Sequence, residues 1–86
     1  MAKPITARSA RRPVSPEKAF GRVLRSARES RSLSQEELAA RAGYHRTYIG
    51  QLERGEKSPS LRTIFNLSST LQVNPSVLIR RVERSI

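Results

Sequence analysis

The sequence predicts an all-α protein of five helices, and three observations carry that expectation. Apolar residues recur at spacings of three and four, the pattern of one helix face. A capping residue stands ahead of each such stretch, at Ser15, Ser34, His45, Ser60 and Asn74. Gly43 and Gly55 close two of the stretches, where a left-handed backbone ends a helix. The length of 86 residues gives room for one domain, and the hydrophobic content of 36% suits a small helical core.

Residues 1–14 precede that domain, which spans residues 15–86. They carry Lys3, Arg8, Arg11 and Arg12, two prolines and no acid. Nothing in them is periodic or apolar enough to fold alone. They read either as a flexible basic arm or as a solvated tail. Helix one opens at Ser15-Pro16-Glu17, a cap, a first-turn proline and an acid at the positive helix end. Phe20, Val23, Leu24 and Ala27 give it one apolar face as far as about Arg31, and Leu33 is expected to pack inward.

Ser34 and Glu37 have the spacing of a capping box, so helix two runs from about Gln35 to Ala42. Gly43 then turns the chain. Tyr48, Ile49 and Leu52 give helix three an inner face from about Arg46 to Arg54, before Gly55. His45 holds its cap position, where histidine is weaker than serine. Two short helices joined by about three residues cross steeply, with the small Ala39 at the contact. By spacing alone this is a helix-turn-helix or any other αα-corner.

Ser60 opens helix four, with an apolar face of Leu61, Ile64, Phe65, Leu67, Ser68 and Leu71. Gln72 follows where glycine would turn more easily, and Asn74-Pro75 opens helix five. Val77, Leu78, Ile79 and Val82 give that helix more apolar surface than a small monomer needs to bury. No internal repeat is visible.

The formal net charge is +10, from 17 basic and 7 acidic residues. Fourteen of the bases are Arg, whose planar fork suits phosphates and base edges. This points to nucleic acid ahead of an acidic membrane surface. There is no Cys, no Asp and a single His, and no Gly-rich phosphate loop. An enzyme, a metal site and a cofactor are therefore not expected, nor is a small-molecule ligand. No apolar run approaches the roughly 20 residues of a membrane span, and no signal-peptide core is present, so a cytoplasmic location is expected.

The run S-Q-E-E-L-A-x-x-A-G from Ser34 to Gly43 is followed by Y-I-x-Q-L-E-R-G from Tyr48 to Gly55, then by P-S-L from Pro59 to Leu61. Together these resemble the Xre family, the phage repressor and Cro class of helix-turn-helix regulators with a lambda-repressor-like fold. They are also similar to the small controller proteins of restriction-modification systems. Gln72 in place of a glycine, His45 in place of a serine or threonine, and the basic arm depart from the family pattern.

The resemblance implies a homodimeric, sequence-specific regulator of transcription that binds double-stranded DNA, with helix three in a major groove. Arg46, Thr47, Gly50 and Gln51 would then meet base edges, with Gly50 allowing close approach and adding no readout of its own. Gln35, Tyr48, Arg54, Lys57 and Arg62 would meet phosphates, Tyr48 packing inward first. The resemblance also pairs Glu53 with Arg28 of helix one. Val77, Leu78, Ile79 and Val82 would form the dimer interface. The alternatives are an antitoxin that also binds its operator, a non-enzymatic adaptor, and an RNA-binding module.

Overall fold

The structure, a computed structural model, describes residues 14–86. The basic arm read over residues 1–14 lies outside them, apart from Val14. Five helices and no strand occur among the described residues: α1 Pro16–Ser30, α2 Gln35–Ala42, α3 Arg46–Glu53, α4 Leu61–Leu71 and α5 Pro75–Arg84.

Local chemistry sets most of the starts. Ser15 Oγ accepts from the Lys18 amide at 3.1 Å. The Ser34 box is complete, with Ser34 Oγ accepting from the Glu37 amide at 2.9 Å and the Ser34 amide donating to Glu37 at 2.8 Å. Ser60 Oγ accepts from the Thr63 amide at 3.0 Å. His45 and Asn74 differ from expectation: each stands at the N-cap, but neither side chain makes a capping bond. Only their backbone carbonyls begin the helix ladder, accepting from Tyr48 and Val77 at 3.0 and 2.9 Å.

The core draws on every helix: Phe20, Val23, Leu24 and Ala27, then Leu38 and Ala39, Ile49 and Leu52, Leu67 and Leu71, and Leu78, with Leu33 from the α1–α2 turn. α1 packs against α3 and α5, while α2 packs against α3 and α4. Two expectations are corrected here. The α4 face is narrower than its periodicity suggested, because Leu61 and Phe65 are 72% and 54% exposed. Leu78 is fully buried, so it belongs to the core and not to a free surface.

Gly21 lies inside α1 where α3 crosses it. A methyl group built there would overlap the carbonyl oxygens of Leu52 and Glu53. The missing side chain thus lets the end of α3 seat directly on α1.

Candidate nucleic-acid interface

The last turn of α3 is fixed to α1 by charge as well as by shape. Arg28 Nε donates to Glu53 Oε2 at 2.6 Å, and Nη2 donates to Oε1 at 2.9 Å. Arg28 Nη1 donates to the Leu33 carbonyl at 2.7 Å. The two side chains are only 10% and 4% exposed, and the Glu53 carboxylate holds the guanidinium still more firmly protonated. A bidentate pair whose third guanidinium nitrogen is also bonded is the geometry in which burying two charges is tolerated.

Gln35, at the first position of α2, joins the same network, its Nε2 donating to Glu53 Oε1 at 3.0 Å. Its carboxamide is therefore oriented by Glu53, a contact the sequence did not suggest.

The first turn of α3 is built differently. Arg46 and Thr47 are exposed, and Gln51 on the next turn is half-buried. Gly50 shares the face of Thr47 and Arg46 by its spacing of three and four from them, yet it is buried. A methyl group on it would come within 3.0 Å of Arg54 Nη1 and 3.8 Å of Gln35 Oε1. The expected opening for close approach is thus covered by two side chains. Arg54 is itself held by Glu56, with Nε and Nη2 donating at 2.7 and 3.2 Å. Pairing raises the Arg54 pKa and lowers that of Glu56.

Tyr48 turns inward. Its ring packs on Tyr44 with centroids 5.3 Å apart, and its hydroxyl lies 3.3 Å from Thr63 Oγ1. The hydroxyl expected at a phosphate is engaged with α4 instead. Tyr44 donates to the same Thr63 oxygen at 3.4 Å and accepts from Asn66 at 2.9 Å. This cluster braces the start of α3 against α4. Tyr44, Thr63 and Asn66 were not singled out in the sequence, where only the aromatic pair at i and i+4 hinted at them. Lys57 and Arg62 are exposed, in the loop after α3 and the first turn of α4.

The arrangement is a helix held at its C-terminal end by α1 and at its start by α4, followed by the exposed bases Arg54, Lys57 and Arg62, with the polar side chains of Arg46 and Thr47 outward on its first turn. It suits insertion into a groove between two lines of phosphates. No helix among the described residues is long and apolar enough to cross a membrane.

The helix-turn-helix family HTH_3 matches residues 24–78. The control protein C.SmaI of Serratia marcescens is 43% identical over 58 residues, covering 67% of this chain and 69% of that protein. The control protein C.BamHI of Bacillus amyloliquefaciens is 44% identical over 61 residues, covering 70% and 75%. Among solved structures, the restriction-modification controller protein C.AhdI from Aeromonas hydrophila superposes with a TM-score of 0.69 at 41% identity. That match covers 71% of this chain and 92% of the other.

Proposed function

The chain belongs to the HTH_3 helix-turn-helix family, and from that premise we propose that it binds double-stranded DNA sequence-specifically, as a homodimer that regulates transcription. The observation that carries this reading is the asymmetry of α3: its last turn is locked to α1 by Gly21 and the Arg28–Glu53 pair, while Arg46 and Thr47 stand exposed. Arg46 reads guanine through O6 and N7, Gln51 reads adenine through N6 and N7, and Thr47 offers its methyl to thymine. Gln35, Arg54, Lys57 and Arg62 hold the backbone. The likeness to control proteins and to a restriction-modification controller supports a regulatory role of the same kind.

One recognition helix buries too little surface for tight binding, so two copies read two half-sites about 34 Å apart. The surface available for pairing is Ile79, 45% exposed, with half-buried Val77 and Val82. Ile79 and Val82 continue into an apolar groove with Phe20, Pro59 and Ile64. Selection of bound duplexes from a random pool is the test. An enriched inverted repeat is expected, with a dimer in sedimentation at micromolar concentration. A pool that stays random, or a strict monomer with and without duplex, would contradict the reading.

A further inference from the structure

Glycine inside a helix is unfavourable relative to alanine, because it orders a freer backbone and packs nothing. Gly50 sits in the second turn of α3, on the face that carries Arg46, Thr47 and Gln51, and something else fills the space over it. A helical side chain covers the turn N-terminal to its own Cα, and Arg54 does so here. Its Nη1 lies 3.0 Å from where a Gly50 Cβ would stand, closer than an ordinary van der Waals contact. Glu56 holds the far edge of the guanidinium through Nε and Nη2, which leaves the donors of Nη1 uncommitted over the helix. On the other side Gln35 Oε1, an acceptor, faces the same notch, its carboxamide fixed by Glu53.

We propose that Gly50 is a positioning residue: its missing side chain is the seat that holds the Arg54 guanidinium across the recognition helix, aimed at a backbone phosphate of the duplex. This rests on the DNA-binding reading above and gives position 50 a part in it that acts wholly through Arg54. An arginine on a long stem is otherwise a poorly ordered contact. The notch and Glu56 restrict it to one direction before the duplex arrives, so less is lost on binding.

A double-mutant cycle tests this, using a duplex enriched by the wild-type chain from a random pool and a scrambled duplex of equal length. Gly50→Ala should weaken binding to both duplexes by about tenfold, the loss of one well-placed phosphate contact in each half-site. Arg54→Ala should do the same. In the Arg54→Ala background, Gly50→Ala should cost less than about twofold, since the group it displaces is gone. The thermal midpoint of Gly50→Ala should hold or rise, because alanine favours the helix, so lost affinity is not lost folding.

Equal losses from Gly50→Ala in both backgrounds would overturn the proposal, since the bare helix surface would then be what the duplex needs. No loss in the wild-type background would overturn it too, since Arg54 would not need the seat. A loss confined to the enriched duplex would assign the guanidinium to a base and contradict the phosphate contact. Failure of the wild-type chain to enrich any duplex removes the DNA-binding reading itself, and is distinct from all three.

Discussion

α2–α3 and α4–α5 are the same construction made twice from unlike residues. Gly43 ends α2 at φ 82°, and Gln72 ends α4 at φ 58°, both left-handed. The amide of the next residue bonds back to Ala39 in one pair and Ser68 in the other, at 2.8 and 3.0 Å. Both of those residues are small and buried where the helices touch, and Ile49 and Leu78 occupy matching buried positions beyond the turns. Outward of this shared frame the pairs diverge. α3 presents Arg46, Thr47 and Gln51, whereas α5 presents Val77, Ile79 and Val82. One turn geometry thus offers a polar surface on α3, proposed to face a duplex, and an apolar stripe along one side of α5, proposed to face a second copy. The geometry fixes where a helix points and the outer residues fix what it meets.

The largest expected effect breaks the anchor that only the first pair has. Glu53→Ala strands Arg28 in a nearly buried site and frees Gln35, and should lower unfolding free energy by about 3–5 kcal/mol in urea titrations. Arg28→Met combined with Glu53→Leu should recover part of that loss. Strictly additive losses would contradict the partnership. Next, Gln51→Ala should cost about 1–3 kcal/mol per half-site and relax the choice at one base pair, whereas Arg62→Ala should weaken all duplexes alike. Competition binding over a panel of single-base variants separates the two.

The two hinge residues can be exchanged. Gly43→Gln should destabilise by about 1–2 kcal/mol, since a side chain there meets open space but still carries the left-handed penalty. Gln72→Gly should gain less than about 1 kcal/mol, because relief of that penalty is offset by a freer unfolded chain. Ser68→Ala makes the second contact resemble Ala39. The Ser68 hydroxyl is buried without a hydrogen-bond partner among the described residues. Its removal should stabilise by at most about 1 kcal/mol.

The smallest effect is acid loss of the α2 box. The Ser34 backbone and side-chain hydrogen bonds hold the Glu37 carboxyl below the usual carboxylate range. Its contribution is therefore complete above the ordinary carboxylate pKa and lost as pH falls through the lowered one. Glu37→Gln should flatten that part of the stability–pH curve.

These comparisons also show what a sequence makes legible. Caps and hinges are local, so Ser15, Ser34, Ser60 and Gly43 could be read within a few residues of where they act. Periodicity marks an apolar stripe but not its cover, so it points Leu61 and Phe65 inward and Leu78 outward. The Arg28–Glu53 pair spans 25 residues and no spacing rule reaches it; it came from family resemblance alone. The burial of Gly50 depends on the direction Arg54 takes, and the hydroxyl cluster on Thr63 depends on how α3 meets α4. Both are properties of packing that no single stretch contains.

The division of labour between α3 and α5 has one direct test: amide spectra of the isotopically labelled chain, with an enriched duplex added at fixed protein concentration. The largest shifts should fall on Gln35, on residues 46–51 and on the loop through Arg62. At protein concentrations where the chain is already dimeric, residues 77–82 should not respond to duplex, and they should shift only on dilution below the dimer range. Shifts concentrated in α5 with α3 silent would contradict the account.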